Sequence, residues 1–375
     1  MIRLETYDLL IIGGGLAGLS CALHLQKSNC KVLLIEKYKY PHHKVCGEYV
    51  SNEVLPYLKS LGVDPMTAGA KSITNFEISN KKGRLLQSKL DLGGFGISRY
   101  AFDAMLFDAL NDKATVVFDT VASLSFAKET FNVSTQNNEL FKAKYVVGAF
   151  GKRSNIDINL NRNFVKQSSP WLAVKAHYDF KFPDDTVALH NFEGGYCGLS
   201  KTERNVVNAC YLTTYKSFKR YGNIEEFQNK VLSENPFLKD FFSQAKPLFE
   251  KPLTISQISF EPKKPVENHI FMIGDSAGLI HPLCGNGMAM AIHSAKIFSE
   301  TFLKHFKQGN INRIKLEKQY EEEWKRTFSK RLKAGRKIQN MLLRPMATSL
   351  GFSTAKLFPR IVSSLIKKTH GKPLL

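Results

Sequence analysis

The feature that most constrains this chain is a glycine-rich loop between two short apolar runs near its N-terminus. The first run ends at Ile12, and the loop Gly-Gly-Gly-Leu-Ala-Gly begins at Gly13. Small and apolar residues at helical spacing follow the loop, and a second apolar run covers 32–35. This order predicts a buried strand, a tight turn, a helix and a parallel second strand, which is a βαβ unit of an α/β fold.

The loop matches the pattern G-x-G-x-x-G through three glycines, Gly13, Gly15 and Gly18. These glycines allow the turn, the approach of a pyrophosphate to the backbone, and the packing of helix on strand. Leu16 and Ala17 begin the helix, whose free N–H groups would face the phosphates. Glu36 ends the second strand, where it can hold a ribose 2′-hydroxyl and disfavours a 2′-phosphate. The pattern favours FAD or NAD over NADP, and a glycine-rich turn without a ligand is the alternative.

The charge of the chain is concentrated near its C-terminus. Lys and Arg number 53 against 33 Asp and Glu, a net charge of +20. Residues 325–375 contain thirteen Lys or Arg and no acidic residue. Such a charge balance favours an anionic partner. Nucleic acid is not expected to be that partner, because the sequence contains no recognition motif for it. Two apolar stripes, 324–342 and 357–365, alternate with these charges and suit either peripheral membrane contact or packing on the core.

Cysteine spacing argues against a metal centre or a disulfide framework. The six cysteines form no C-x-x-C pair and no cluster with histidine. No apolar run has the length of a membrane span. The sequence therefore predicts no metal site and a cytoplasmic protein, with contact at the inner face of a membrane as an option.

Strand and helix patterns predict a discontinuous domain organisation. A Rossmann-like domain combines residues 1–70, 99–165 and 266–305, and a β-rich substrate domain combines 71–98 and 166–265. Within the latter, Ile224 to Ala245 is predicted to be helical. Residues 306–375 form a basic helical region.

Three further segments carry a resemblance to a known family. Arg99 opens a stretch that matches R-x-x-F-D-x-x-L, and Gly274 opens a G-D-x-A-x segment followed by P-x-x-G-x-G-x. Lys44 opens the stretch Lys-Val-Cys-Gly-Glu, which is similar to K-x-C-G. Together they resemble the p-hydroxybenzoate hydroxylase-like flavoproteins, and more closely their geranylgeranyl reductase and FixC-like dehydrogenase branch. The resemblance extends to about Phe302.

The resemblance implies FAD as the cofactor. Asp275, after a short buried strand, can accept hydrogen bonds from ribitol or ribose hydroxyls, and a helix that begins near Gly287 can direct N–H groups at the flavin N1/C2=O edge. The cofactor contacts implied beyond the glycine loop and Glu36 are Lys37, Lys44, Arg99, Val121, Gly274, Asp275, Gly285, Asn286, Gly287 and Met288.

The chain departs from the family at two places that concern the reaction. Phe150 replaces the aspartate of the hydroxylase G-A-D-G-x-x-S segment, which counts against an NADPH-driven hydroxylase. The substrate motif Y-x-W-x-F-P of geranylgeranyl reductases is missing, as is the W-x-W-x-I-P motif of flavin halogenases. The substrate therefore cannot be taken from the family.

Three residues are candidates for the chemistry beside the flavin ring. They are Cys46, Glu48 and Tyr196; each has an ordinary alternative, as a buried thiol, a surface carboxylate or a core aromatic respectively. No second dinucleotide fingerprint follows a strand, so the reductant is either transiently bound NAD(P)H or a protein electron carrier.

The resulting prediction is an FAD-dependent oxidoreductase that transfers hydride to or from a lipophilic molecule, isoprenoid or polyketide-like. The alternatives are an FAD monooxygenase that hydroxylates an aromatic substrate, and a binding protein without flavin.

Overall fold

The secondary structure alternates short strands with helices up to about residue 286, after which helices dominate. The computed structural model describes residues 5–110, 114–307, 309, 311–342, 352, 354 and 360–375. Its strands are β1 (Thr6–Ile12), β2 (Val32–Glu36), β3 (Tyr49–Ser51), β4 (Lys71–Ser79), β5 (Leu85–Gly96), β6 (Ala114–Phe118), β7 (Val121–Ala127), β8 (Thr130–Thr135), β9 (Leu140–Gly148), β10 (Trp171–Asp179), β11 (Thr186–Phe192), β12 (Gly195–Lys201), β13 (Val207–Thr214), β14 (Lys246–Pro247), β15 (Leu253–Ser256), β16 (Val266–Glu267) and β17 (Ile270–Met272). Its helices are α1 (Leu16–Leu25), α2 (Leu55–Ser60), α3 (Arg99–Asp108), α4 (Asn155–Asn159), α5 (Tyr215–Phe218), α6 (Ile224–Lys230), α7 (Pro236–Gln244), α8 (Gly287–Phe306), α9 (Arg313–Leu342) and α10 (Arg360–Thr369).

The first sheet contains the βαβ unit predicted from the glycine loop. Its order is β16-β17-β9-β1-β2-β6, and β17, β9, β1, β2 and β6 run parallel. The hairpin of β7 and β8 adds to β9. Ile12 pairs with both Ile35 and Gly148, and Gly148 pairs with Met272. The carboxyl ends of these four parallel strands therefore lie side by side at one edge of the sheet. In α/β folds of this kind, ligands bind at the carboxyl edge of the sheet.

The second sheet has the order β14-β10-β13-β12-β11-β4-β5-β3, with β15 also paired to β10. One face packs against α6 and α7 through Val174, Phe227 and Phe241. The opposite face packs on the loop that follows β17. Although β3 lies within residues 1–70, it pairs with β5 in this second sheet. The two sheets together confirm the predicted α/β class.

The stretch from Ile224 to Ala245 is helical as predicted, but it is divided into α6 and α7 with a break between them. Pro236 is the first residue of α7 and has no N–H to continue an earlier helix. Buried Asn235 accepts a hydrogen bond from Phe237 N at 3.0 Å, which caps α7. Its amide also donates to the Ser79 hydroxyl at 2.8 Å, so the break is fixed to β4.

Helix α9 uses its apolar stripe to pack on the core. Trp324 and Phe328 are buried in the core of the first sheet, and the Tyr320 hydroxyl donates to Met272 O at 2.6 Å. Ile338 contacts the second sheet. For α9 the packing alternative is the one observed, while Leu357 and Phe358 of the second predicted stripe lie outside the described residues. Among the described residues there is no helix long and apolar enough to cross a membrane.

Candidate functional site

The predicted nucleotide loop turns sharply at the carboxyl end of β1. Gly13 has φ +105°, a conformation that favours glycine, and its N–H donates to Ile35 O at 2.8 Å. A Cβ on Gly18 would lie 1.9 Å from Gly13 O, so helix and loop touch through the glycine. Leu16 and Ala17 are buried in the first turn of α1. Helix α1 is thereby held against the end of β1.

The N-terminus of α1 is open where a pyrophosphate is predicted. Gly15 is the N-cap, and within the described residues no side chain caps the helix. A Cβ on Gly15 would meet only the Arg99 Nη2 atom, at 3.6 Å. The first N–H groups of α1 and the Arg99 guanidinium therefore face the same space, which suits a diphosphate.

Glu36 is anchored beside this loop. Its carboxylate accepts hydrogen bonds from Gly14 N at 2.5 Å and Tyr38 N at 3.0 Å. The Tyr40 hydroxyl donates to Gly14 O at 2.5 Å. Lys37 is exposed next to Glu36, with its ammonium 4.9 Å from the Tyr38 ring centre. The carboxylate oxygens keep lone pairs with which a ribose hydroxyl could bond.

Arg99 is fixed by a buried carboxylate. Its Nε and Nη2 both donate to Asp103 at 2.7 Å, and Lys44 Nζ donates to Asp103 at 2.9 Å. Burial alone would raise the pKa of Asp103, but the two cations and their hydrogen bonds hold it below its usual value. The guanidinium is thus positioned before any ligand binds. Val121, a further predicted contact, is buried at the start of β7.

The segment after β17 brings the remaining predicted contacts to the same edge of the first sheet. Gly274 N donates to the Ser294 hydroxyl at 2.7 Å, and Lys263 Nζ donates to Asp275 O at 2.8 Å. Asp275 is half-buried and follows the same strand edge as the loop. Gly285 has φ +62°, and a Cβ there would lie 3.1 Å from the Tyr49 ring.

Helix α8 begins with an uncapped N-terminus. Asn286 is its N-cap, and in the described part of the chain its side chain makes no capping bond. The Asn286 Nδ2 donates to Thr369 O at 2.8 Å, whereas its Oδ1 is buried without a hydrogen-bond partner among the described residues. Gly287 and Met288 form the first turn. Free N–H groups and an unsatisfied amide oxygen at one place are what a flavin pyrimidine edge, with its N–H and C=O groups, would satisfy.

These residues fit FAD. The loop and Arg99 would hold the diphosphate, Glu36 the adenosine ribose, and the segments from Asp275 and Asn286 the flavin end. A Cβ on Gly47 would meet no atom within 4 Å, so there is open space beside the stretch predicted to face the ring. When bound, FAD would supply hydride transfer at this place.

Glu48 lies directly after this open space and is fully buried, so the surface-carboxylate alternative is wrong. It adopts φ +56°, which is uncommon for a residue with a side chain. Its carboxylate bonds to Lys175 Nζ, to His177 Nε2 at 2.7 Å and to Arg99 N at 2.8 Å. Burial opposes ionisation, but Lys175 and His177 lower the pKa of Glu48. Glu48 is therefore an ionised group that positions its neighbours.

Lys175 and His177 are site residues that the sequence analysis missed. They alternate on β10, in which every residue from Trp171 to Tyr178 is buried. Polar residues of this kind on a fully buried strand are the signal that could have identified them, because buried charges need partners.

His43 joins this group from the other side. Ligating atoms of His43, Glu48 and His177 lie within 4.8 Å of one another, a grouping that the sequence spacing did not predict. The Lys175 ammonium bonds the Glu48 carboxylate directly and neutralises its charge. Burial, and then the neighbouring Lys175 charge, lower the pKa of His43 to about 4. The group therefore has the electrostatics of an internal ion pair.

An apolar cluster, here called the apolar wall, lies between the second sheet and the segment that follows β17. It consists of Trp171, Tyr196 and Leu212 from the second sheet, packed against Leu283 and Val45. Tyr196 is thus part of an aromatic cluster, and burial raises the pKa of its phenol well above the usual range. Such a phenol keeps its proton at neutral pH.

His281 contributes one polar group to this wall. Its ring centre lies 4.5 Å from that of Phe260 and 5.8 Å from those of Trp171 and Tyr196. Its Nε2 is buried and has no partner within the described residues, and burial lowers its pKa to about 3. A neutral imidazole nitrogen is therefore available to a polar group of a bound molecule.

Cys46 and Phe150 both pack against the core of the first sheet. Cys46 is half-buried, and its carbonyl accepts a hydrogen bond from Asn208 Nδ2 at 3.2 Å. Phe150 follows β9, and its Cε1 would lie 2.6 Å from a Cβ on Gly148. The catalytic roles of Cys46, Glu48 and Tyr196 remain predictions.

Residues 6–330 match the family described as FAD binding domain. The chain belongs to this family. The protein is therefore a flavoprotein oxidoreductase that uses FAD. This confirms the prediction made from the glycine loop and the segments that begin at Arg99 and Gly274.

Relatives and solved structures extend this result. The chain is 25% identical to the digeranylgeranylglycerophospholipid reductase of Methanococcus vannielii, over 90% of this chain and 87% of that protein. It is 26% identical to the protein of that name from Methanocaldococcus jannaschii, with the same two coverages. The fold is similar to that of a flavin-dependent brominase, with TM-score 0.80, 16% identity and coverages of 97% and 93%. A probable FAD-dependent monooxygenase from Pseudomonas aeruginosa has TM-score 0.73, 13% identity and coverages of 93% and 100%.

Proposed function

We propose that this FAD-dependent oxidoreductase is a reductase or dehydrogenase that transfers hydride through FAD to or from a lipophilic small molecule. The observation that carries the proposal is the apolar wall of Trp171, Tyr196 and Leu212, against which Val45 packs two residues before the open space at Gly47. A surface of this composition binds an apolar substrate and excludes water from a hydride transfer. The two relatives named digeranylgeranylglycerophospholipid reductase support this substrate class.

Tyr196 is the residue that we propose as proton source. A phenol is protonated at neutral pH, so Tyr196 can donate a proton to the alkene carbon adjacent to the one that takes up hydride. Glu48 instead orients Arg99 and His177 as a fixed anion, and Cys46 borders the ring. Phe150 supports this reading, since it puts an aromatic ring where the hydroxylases use an aspartate. We propose NAD(P)H or a protein carrier as reductant.

The experiment uses FAD-loaded protein, reduced photochemically and mixed with a total lipid extract under isotopically labelled dioxygen. We expect mass spectrometry to detect lipids that have gained two hydrogens. Products that carry the label would instead identify a monooxygenase and overturn the proposal.

Two buried phenols of the second sheet give a matched pair of variants for this reaction. Tyr196→Phe should slow single-turnover reduction about a hundredfold, the usual size of a lost general acid. Tyr211→Phe should leave the rate unchanged, because Tyr211 is equally buried but packs on the opposite, α6-facing side of the sheet. Equal rates for the two variants would exclude Tyr196 as proton source.

We also propose peripheral contact with an anionic membrane through the basic face of α9. Lys330, Lys333 and Lys337 are exposed along one side of that helix, whereas its apolar stripe is buried. The contact is therefore electrostatic and places the protein at the cytoplasmic surface.

Lys333→Glu/Lys337→Glu should weaken sedimentation with phosphatidylglycerol vesicles by about tenfold or more, since each basic residue near such a surface contributes ~1 kcal/mol. Lys230→Glu/Lys239→Glu, on α6 and α7, is the control with equal charge change. Equal loss in the two variants, or binding that salt does not weaken, would contradict the contact.

A further inference from the structure

A cavity of 440 Å³ lies between β5 and the C-terminal helices, away from the strands that carry the apolar wall. Leu90 and Leu92 of β5 line one side, and Ile366 of α10 lines the other. Tyr49 closes the inner end, where its ring also contacts Gly285. Volumes of about 300–1,000 Å³ are usual for small-molecule sites. The cavity is therefore large enough for one ligand with an apolar part.

Two polar atoms at this cavity have no hydrogen-bond partner among the described residues. Tyr49 is 8% exposed, and its buried hydroxyl is the first of them. His370 Nδ1 donates to Ile366 O at 3.0 Å, and the buried Nε2 of the same ring is the second. Buried polar atoms are nearly always satisfied, so a hydroxyl and an imidazole nitrogen left open at one cavity point to a ligand with a polar group.

The charges at the cavity are mostly positive. Asp91 pairs with Lys367 at 2.7 Å, and Arg331 pairs with the buried Glu53 at 3.2 Å. The two remaining cations, Lys89 and Lys372, are exposed at the rim and form no ion pair in the described part of the chain. The rim can therefore bind an anion while the interior binds hydrocarbon.

We propose that this cavity binds one anionic amphiphile, with its apolar chain against Leu90, Leu92 and Ile366 and its phosphate or carboxylate head at Lys89 and Lys372. The Tyr49 hydroxyl would donate to an oxygen atom of the head or the adjoining linkage, and His370 Nε2 would accept a hydrogen bond from a hydroxyl of the head, such as that of a singly protonated phosphate. Such a molecule arrives either as a free monomer or as a membrane lipid. The site does not depend on the reaction proposed above, because binding requires no turnover.

The test is calorimetric titration of the FAD-loaded full chain with dodecyl phosphate below its micelle concentration. We expect saturable binding of one molecule per chain, with much weaker binding of inorganic phosphate and of a nonionic dodecyl glycoside. Phosphatidylglycerol vesicles that bind while the monomer does not would assign the anion affinity to the membrane surface and overturn the cavity site.

Variants locate the binding within the molecule. Lys89→Glu/Lys372→Glu should raise the Kd for dodecyl phosphate roughly tenfold, and Ile366→Trp, which fills the cavity, should raise it at least as much. Lys333→Glu/Lys337→Glu should leave this Kd unchanged although it weakens vesicle binding. A Kd that rises equally in both charge variants, or that both cavity variants leave unchanged, would refute the proposal.

Discussion

Gly15→Ala should abolish flavin loading while the polypeptide keeps its fold. The added Cβ would meet nothing nearer than Arg99 Nη2, at 3.6 Å, so the apoprotein accommodates it. It would, however, occupy the space in which a diphosphate approaches the N–H groups of α1. Loss of two hydrogen bonds to a charged group costs about 4 kcal/mol, which is roughly a thousandfold in the Kd for FAD.

Fluorescence titration of apoprotein with FAD measures this Kd, and thermal unfolding of the apoprotein measures the fold. Gly18→Ala should instead lower the thermal stability of the apoprotein more than it weakens FAD binding. Its Cβ would lie 1.9 Å from Gly13 O and must displace α1. Gly222→Ala should change neither quantity, since its Cβ has only ordinary contacts. Full flavin loading in Gly15→Ala would show that the diphosphate does not pass over this glycine.

The glycine loop could be predicted because everything that defines it is local. Gly13 to Glu36 span one βαβ unit, and the order of apolar runs, glycines and acid is readable without knowledge of the rest of the chain. Pairing of parallel strands then fixes where other strand ends must lie, so the position of Gly274 beside the loop also follows from a general rule.

The group around Glu48 could not be predicted in the same way. Lys175 and His177 lie on a strand more than a hundred residues away, and only the closure of the second sheet against Glu48 brings them together. An isolated glutamate near a glycine gives no indication of burial. The two polar residues of β10 could be recognised in the sequence, but Glu48 could not be recognised as their common partner.

Helical periodicity predicted the helices but left open the break between α6 and α7 and the packing partner of α9. Between Ile224 and Ala245 a local signal was present, because Asn235-Pro236 is the cap and first residue of a new helix. In α9 no local signal exists, since an apolar stripe has the same pattern whether it packs on protein or on lipid. Only the burial of Trp324 and Phe328 decides between these alternatives.

Removal of one partner of the Glu48–Lys175 pair should strongly destabilise the protein. Both side chains are fully buried, so Glu48→Gln leaves the Lys175 ammonium without a counter-charge. A buried charge stranded in this way costs about 3–5 kcal/mol in the free energy of unfolding. Urea denaturation should detect this loss, and Lys144→Met, which breaks the more exposed pair with Asp8, should cost less than about 1 kcal/mol.

The double variant Glu48→Gln/Lys175→Met distinguishes a stranded charge from damaged packing. It removes both charges, so we expect it to recover most of the stability lost in either single variant.

The pH dependence of stability should agree with this result. Because the folded-state pKa of Glu48 is depressed below 4.5, its ionised form stabilises the fold above that pH. The stability difference between the native chain and Glu48→Gln should therefore shrink as the pH falls through the folded-state pKa. A double variant as unstable as Glu48→Gln alone, with a difference that persists in acid, would show that shape rather than charge makes this residue indispensable beside the flavin.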